Sequence, residues 1–359
     1  MPRFLTHIPL FALSALIPLA ASCGRSDQAK TSSAGANTPT VTATAGAEAS
    51  STGPAVRAPI SYAVAESAFG GGRYSEATEL FTAYTGSHPE NPWGHYMLGL
   101  SAWRAGDHEK ASIAFDRALE IDPSHRKSLF NSSRVLLETG QPKAALERIE
   151  QALTLEPMSN EAFRLLGRAR YELGNVDEAI KAYQRALTID ERDVWSMNNL
   201  GLIYIQQDRS CEALAPLARA VELRSNAPVF QNNLGTALER SGYPTAAAQA
   251  YEAAIAVDSA YAKASVALAR VTGGGQEPES TPVDLVGLSQ RFQADIESWR
   301  SSVDSSTVPI EPVSDSTPAS VTVSDSSVSD TSPAPVEATV DSAAIHGGQL
   351  GDTLEPCVH

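Results

Sequence analysis

Residues 92–125 have the sequence PWGHYMLGLSAWRAGDHEKASIAFDRALEIDPSH, and the pattern of this stretch returns every 34 residues. Small residues mark the register. One series is Ala77, Ala111, Ala145, Ala179, Ala213 and Ala247, and another is Ala65, Gly99, Ser133, Gly167, Gly201 and Gly235. A fixed period of this length indicates a solenoid of stacked repeats, whose function lies in a surface.

Each repeat predicts two helices joined by a turn. In residues 92–125 a first apolar-periodic stretch ends near Gly106, and a second one places Ala111, Phe115 and Ala118 on one face. The turn glycine recurs in most repeats, because the end of a helix favours a residue with a left-handed backbone. Small side chains let the two helices approach closely, while the larger apolar side chains fill the remaining gaps.

The repeats resemble the tetratricopeptide repeat, whose pattern is matched in this stretch by Leu98, Gly99, Gly106, Ala111, Phe115, Ala118 and Pro123. The resemblance implies an all-α, right-handed α-solenoid over residues 58–272. Its six helix–turn–helix units would be 58–91, 92–125, 126–159, 160–193, 194–227 and 228–261, closed by a capping helix at 262–272. The fifth unit departs from the family pattern twice. Asp208 replaces the turn glycine, and Pro216 lies inside a helix, where we expect a kink or a late helix start.

The N-terminus carries an apolar run, residues 8–21, that is too short to span a bilayer and predicts a signal peptide over residues 1–22. The ending Ala-Ala-Ser-Cys resembles the bacterial lipoprotein signal. The resemblance implies lipidation of Cys23 and a protein anchored in the cell envelope, on the periplasmic face of the outer membrane if the cell has one. Plain cleavage at the same small residues is the alternative.

Two flanking segments lack the large apolar residues that a core requires. Residues 23–57 are predicted to be a disordered Ser/Thr/Ala-rich tether, and residues 304–359 a disordered acidic tail. Residues 273–303 are predicted to be a linker that contains a short amphipathic helix. This helix either docks on the end of the solenoid, or on a partner, or forms only transiently; its apolar face consists of Leu285, Leu288, Phe292, Ile296 and Trp299.

Charge and cysteine content restrict the function classes. The chain has a net charge of −15, and residues 273–359 contribute 14 acidic and 2 basic residues to it. An acidic balance argues against nucleic acid, whose phosphates need a basic footprint. Cys211 and Cys357 either pair or stay free, and neither outcome follows from three cysteines.

The resemblance also assigns a surface, because in this family the first helix of each unit lines a concave groove. It implies a partner-binding site formed by Trp93, Tyr96, Leu100, Trp103, Arg104, Phe130, Arg134, Arg164, Arg168, Tyr171, Trp195, Asn198, Leu202 and Asn232. Aromatic and arginine side chains are enriched at binding hot spots. The alternative is that some of the aromatic residues only pack against neighbouring repeats.

Some relatives clamp a peptide's terminal carboxylate in this groove, and Arg164, Arg168, Asn199 and Asn233 partly resemble that clamp. However, Val229 occupies a place where the clamp needs lysine. A looser anionic contact is therefore favoured, and the acidic tail of the chain is a candidate ligand.

The sequence contains no phosphate-binding loop and no histidine at a metal-ligand spacing, so we expect no catalytic residue, no cofactor and no metal. The predicted function is a non-catalytic scaffold for protein–protein interaction, tethered in the bacterial cell envelope. It would bind a partner peptide or helix in the groove, for example during assembly of a secretin or pilus. The alternative is an accessory or regulatory subunit of an envelope enzyme, such as a cell-wall hydrolase or protease.

Overall fold

The computed structural model describes residues 60–274, 279, 281–305 and 357, and these residues contain fourteen α-helices and no strand. The predicted all-α solenoid is confirmed. The predicted signal peptide, the tether and nearly all of the tail lie outside the described residues. The helix pairs are α1 Tyr62–Gly70 with α2 Tyr74–Ser87, α3 Pro92–Arg104 with α4 His108–Ile121, α5 Arg126–Glu138 with α6 Pro142–Leu155, α7 Asn160–Glu172 with α8 Val176–Ile189, α9 Val194–Gln206 with α10 Ser210–Leu223, and α11 Pro228–Arg240 with α12 Pro244–Val257; α13 Ala262–Gly273 and α14 Leu285–Ser305 follow.

Most of the first helices start at a capping side chain that recurs with the repeat. The Asn91 side chain accepts a hydrogen bond from the amide of Gly94 at 3.2 Å, and Ser159 does the same for the start of α7 at 3.3 Å. His125 and Asp193 occupy the same position before α5 and α9. Each cap satisfies an amide that has no partner inside the helix.

The small residues at the repeat period mark the place where the two helices of a unit touch. A Cβ carbon added to Gly201 would lie 2.4 Å from Cγ of Leu217, and one added to Gly167 would lie 2.8 Å from the Tyr183 ring. Real Cβ atoms do not approach other atoms so closely. Glycine therefore allows a large buried side chain of the second helix to pack directly on the backbone of the first.

The two departures in the fifth unit have different outcomes. Asp208 adopts a φ of 58°, the left-handed conformation that glycine supplies in the other turns. The expected late start at Pro216 is wrong, because α10 begins at Ser210, at the same place in its unit as Val176 in α8. Pro216 removes only the donor for the carbonyl of Glu212, an exposed residue in the first turn whose carbonyl can bind water instead.

The last helix, α14, docks on the solenoid beside α10 and α8, away from the solenoid's end. The side chains of Leu288, Phe292 and Ile296 are 4%, 3% and 1% exposed, so the amphipathic face predicted from the sequence is buried within the chain itself. Among the helices of the described residues, none has the length and hydrophobicity needed to cross a bilayer.

Candidate partner-binding surface

The first helices of successive units pack on one another, as α9 does on α11 and α5 on α7. The second helices α8 and α10 instead flank a groove on the opposite side, which α14 occupies. The first helices therefore lie closer to one another along the stack than α8 and α10 do, which is the arrangement expected when the first helices line the inside of the stack. We call the surface of α3, α5, α7, α9 and α11 the concave face, and the surface of α8 and α10 under α14 the outer face.

The most exposed large aromatic residue on the concave face is Trp93, with 46% of its surface accessible. Its ring stands edge-on to His125 at a centroid distance of 4.6 Å, and the ammonium of Lys127 lies 5.7 Å from its centre. Lys127 does not belong to the predicted site, although it occupies the same position in its unit as Trp93. Together they combine an apolar plane with a positive charge, which suits an aromatic or acidic side chain of a partner.

The ring of His125 packs against the ring of Trp93. It is 6% exposed, and its Nδ1 atom accepts a hydrogen bond from the amide of Ser128 at 3.2 Å, whereas Nε2 has no partner among the described residues. Burial lowers the pKa of the imidazole, the Asp122 carboxylate partly opposes this shift, and the charge of Lys127 lowers the pKa further by a smaller amount. The neutral ring is therefore the form that the fold favours.

Two aromatic residues of the predicted site tie the second unit to the third. The indole Nε1 of Trp103 donates to Glu138 at 2.6 Å, and the Glu138 carboxylate lies 3.3 Å from the His108 ring. The side chain of Asn131 donates to the Tyr96 hydroxyl at 3.4 Å. Trp103 and Tyr96 are 6% and 7% exposed, so both act mainly as packing residues between repeats.

Three of the predicted arginines are paired with carboxylates of the same chain. Arg164 donates at 3.0 Å to Asp193, the residue that caps the start of α9, and Asp193 is 5% exposed. Arg168 donates to Glu172 at 2.8 Å, and Arg134 pairs with Glu161. These pairs fix the guanidinium planes in place, so an acidic partner must displace or share a carboxylate to bind them.

Arg104 is different, because it pairs with no carboxylate in the described part of the chain. Its guanidinium lies 5.5 Å from the centre of the Tyr74 ring, and its buried Nε atom has no hydrogen-bond partner there. Burial lowers the pKa of Arg104 from its usual value, although the group stays charged at any physiological pH. Arg104 is therefore the predicted groove arginine most available to an external anion.

Buried amides connect the fifth and sixth units. Asn232 donates to Asn233, Asn233 donates to Asn198 at 2.8 Å, Asn198 donates to Asn199, and Asn199 donates to the hydroxyl of Tyr183 at 3.3 Å. All four amides are at most 6% exposed. The residues that partly resemble a carboxylate clamp are therefore engaged in this ladder or in the ion pairs of Arg164 and Arg168.

The structure sorts the predicted site residues into two groups by exposure. Trp93 is exposed, and Arg104, Arg134, Arg164, Arg168, Tyr171 and Trp195 are partly exposed. The others are buried in the chain: Tyr96, Leu100, Trp103, Phe130, Asn198, Leu202 and Asn232. The described residues contain no cluster of side chains that could hold a metal ion.

Comparisons with known proteins bear on the repeats. The model of the tetratricopeptide repeat family matches residues 62–126 and 130–194. A search of curated proteins finds no match. The structure of a tetratricopeptide repeat protein from Parabacteroides merdae is similar, with 16% sequence identity and a TM-score of 0.52, over 60% of this chain and 86% of that one.

Two further solved structures are similar. One is the Cut9–Hcn1 hetero-tetramer of the APC/C, with 18% identity and a TM-score of 0.51 over 58% of this chain and 41% of that one. Another is MamA from Desulfovibrio magneticus RS-1, with 24% identity and a TM-score of 0.43 over 45% of this chain and 92% of that one. At these identities the likeness to the Parabacteroides merdae protein and to Cut9–Hcn1 concerns the fold alone.

Proposed function

We propose that this chain, whose residues 62–126 and 130–194 are tetratricopeptide repeats, is a non-catalytic scaffold that binds a partner protein on its concave face. One observation carries the proposal. The concave face presents partly exposed aromatic and arginine side chains, Trp93, Arg104, Tyr171 and Trp195, whereas the outer face of the fourth and fifth units is already covered by α14. Side chains of these types supply most of the affinity at protein interfaces.

The buried members of the predicted site have a supporting role in this proposal. Trp103 and Tyr96 hold the second and third units in register through Glu138 and Asn131. The amide ladder through Asn198 does the same for the fifth and sixth units. Because these contacts fix the spacing of the first helices, the exposed anchors are pre-organised, and less conformational entropy is lost on binding.

The chemistry of the exposed groups indicates the kind of partner. Trp93 with Lys127 forms an apolar plane beside a cation, and Arg104 offers a guanidinium that has no carboxylate partner among the described residues. An extended peptide or a helix with an aromatic or apolar side chain and a carboxylate satisfies both. We infer that such a segment of an envelope protein is the ligand, and that binding contributes to the assembly of an envelope complex.

Export and lipid anchoring through Cys23 are part of the same proposal. The structure supports export indirectly, because Cys211 and Cys357 form a disulfide bond, and structural disulfides are typical of oxidising compartments outside the cytosol. Cys23 itself lies outside the described residues.

The binding proposal is tested with a triple variant of the concave face, Trp93→Ala, Arg104→Ala and Tyr171→Ala. Its matched control is Ile113→Ala, at an apolar residue of α4 that is 64% exposed. Partners are crosslinked in envelope preparations and quantified by mass spectrometry. We expect recovery of at least one partner to fall about tenfold in the triple variant and to stay unchanged in the control, with equal helicity by circular dichroism. Equal recovery of every crosslinked protein would refute a concave binding site.

The anchoring proposal is tested separately with Cys23→Ser. We expect the wild-type protein to incorporate labelled palmitate and to sediment with membranes, and the variant to lose both properties. A wild-type protein that is exported but unlabelled would support plain signal cleavage instead.

A further inference from the structure

The C-terminal end of the chain is bonded covalently to the solenoid. Cys357 forms a disulfide with Cys211, the second residue of α10, across 146 residues of sequence and with a Cα–Cα distance of 5.9 Å. The Tyr243 hydroxyl donates to the carbonyl oxygen of Cys357 at 3.0 Å. Cys357 also packs against the apolar cluster that includes Leu214 and Leu288. Cys357 therefore occupies a specific site beside α10.

The helix α14 is held by different contacts. Besides its three buried apolar side chains, Ser289 donates to Glu222, and Arg300 donates to the backbone carbonyl of Thr188 in α8 at 3.1 Å. Neither of these two polar contacts involves a cysteine, whereas Leu288 belongs to the apolar cluster on which Cys357 packs. The C-terminal part of the chain thus has two attachments that adjoin at Leu288, one non-covalent along α14 and one covalent at Cys357.

Between these attachments lie residues 306–356, which contain eight acidic residues and no lysine or arginine. This acidic segment follows α14, whose last turns contact the end of α8, and it precedes Cys357 beside α10. With the disulfide intact, the residues on both sides of the segment are attached to the solenoid. Without the disulfide, the attachment along α14 remains.

The location of Cys211 makes this bond accessible to a reductant. Cys211 is exposed and lies in the first turn of α10, where backbone amides lack helical partners and the helix dipole is positive. A thiolate that leaves from this position is stabilised, which accelerates thiol–disulfide exchange. The charged side chains that line the same cleft are Glu212, Arg291 and Asp295, and Glu212 is already paired with Arg209. Their charges nearly balance, so the helix terminus distinguishes Cys211 from Cys357.

We propose that the Cys211–Cys357 disulfide is a reversible clasp, which a dithiol reductant opens in the folded protein to release Cys357 from α10 while α14 stays docked. A thiolate of the dithiol attacks Sγ of Cys357, a mixed disulfide forms, and Cys211 leaves as a thiolate. The second thiol of the reductant, as a thiolate, then attacks the reductant's own sulfur in the mixed disulfide. The two sulfur atoms of the reductant become bonded to each other. Cys357 leaves and is protonated, so two electrons pass from the dithiol to the protein.

The first test measures reduction under native conditions. The full-length protein is equilibrated in dithiothreitol buffers without denaturant, quenched by alkylation and digested, and the peptides with Cys211 and Cys357 are quantified by mass spectrometry. We expect both cysteines to be alkylated together while the far-ultraviolet circular dichroism stays unchanged. Alkylation that requires urea, or two cysteines that are already free before reduction, would overturn the proposal.

The second test compares two matched variants that each keep one thiol. Cys357→Ser leaves Cys211 free at the helix terminus, and Cys211→Ser leaves Cys357 free. At pH 7 we expect Cys211 to react with iodoacetamide about two- to fivefold faster than Cys357, the ratio that a helix terminus usually produces. A Cys211 that reacts no faster would contradict the role given to the start of α10.

The third test follows α14 after reduction, by hydrogen exchange on the Cys357→Ser variant. We expect slow exchange to persist around Leu288, Phe292 and Ile296, and exchange to increase around Tyr243 and the start of α10. Loss of protection throughout α14 would show that the two attachments depend on each other, and would overturn the clasp. Unchanged exchange rates at the start of α10 would show that Cys357 does not stabilise that end of the helix.

Discussion

The contact between Gly201 and Leu217 allows a quantitative test of how the repeats are held together. A Cβ carbon in Gly201→Ala would lie 2.4 Å from Cγ of Leu217 and 2.8 Å from both of its methyl carbons, whereas ordinary contacts begin at 3.4 Å. Leu217 is fully buried, so a change of rotamer would drive its side chain into the surrounding core. The helices α9 and α10 must therefore separate by about 1 Å, which costs roughly 2–3 kcal/mol, the upper part of the range for overpacking, because three atoms of a fully buried side chain are involved.

The helix propensity of alanine opposes this cost by about 1 kcal/mol relative to glycine. We therefore expect Gly201→Ala to lower the free energy of unfolding by about 1–2 kcal/mol. Gly86→Ala is the matched control, because Gly86 also lies in a helix, α2, but an added Cβ has no atom within 4 Å. This control is expected to be neutral or slightly stabilising.

Urea unfolding followed by circular dichroism at 222 nm measures both variants. With a denaturant slope of about 3 kcal/mol per molar, Gly201→Ala should lower the midpoint by roughly 0.3–0.7 M. Leu217→Ala alone should cost about 2–5 kcal/mol, but in its presence Gly201→Ala should cost nothing, because the collision is removed. A Gly201→Ala protein as stable as the wild type, or a double variant with fully additive costs, would refute the close-contact argument.

Three further outcomes follow from single side chains. Asp208→Gly should raise the free energy of unfolding by about 0.5–1 kcal/mol, because glycine adopts the observed φ of 58° without strain; calorimetry that finds it less stable than the wild type would contradict this. Because burial lowers the pKa of His125, its contribution to stability is present above the unfolded-state pKa near 6.5 and is lost as the pH falls through the folded-state value. The variant His125→Asn keeps a capping oxygen, so the urea midpoint should fall less between about pH 7 and pH 5 than it does in the wild type. Identical pH profiles of the two proteins would exclude His125 as the cause. Phe292→Ala removes a ring that is 3% exposed and should make α14 sensitive to chymotrypsin, whereas Val286→Ala, at a residue 69% exposed, should not; equal cleavage of both would show that α14 is not held by its apolar face.

Much of the fold was predictable because the physical constraints that define it are local and repeat. The close contacts at Gly99, Gly167 and Gly201 require small residues once per unit, and this requirement appears in the sequence as a period. The left-handed turn imposes a second periodic requirement, which even Asp208 satisfies. Pro216 misled the expectation of a late start, because its cost depends on whether the carbonyl of Glu212 is accessible to water, and a propensity scale does not contain that information.

The exposure of the groove residues could not be predicted in the same way. The family register assigns Trp93, Tyr96 and Trp103 to one surface, but it does not say how closely the next unit covers them. In the structure Glu138 and Asn131 of the third unit reach Trp103 and Tyr96 and leave them almost fully buried, whereas Trp93 stays 46% exposed although Lys127 of the same unit lies over its ring. How far one unit covers the next depends on the small rotation at each interface between units, and these rotations add up along the stack. The residue pattern of a single repeat does not contain these rotations.

The docking of α14 depends on features still farther apart in the sequence. Its apolar face was recognisable from the spacing of Leu288, Phe292 and Ile296, but its seat is formed by α8 and α10, about a hundred residues earlier. The hydrogen bond from Arg300 to the carbonyl of Thr188 joins two residues that are 112 positions apart in the sequence. The seat exists because the second helices diverge on the outside of the curve and leave apolar side chains between them. An amphipathic helix attached by a linker to the end of the solenoid has a high effective concentration for that groove. A partner helix must therefore compete with the chain's own helix between α8 and α10, whereas Trp93 on the concave face is left 46% exposed by the described residues.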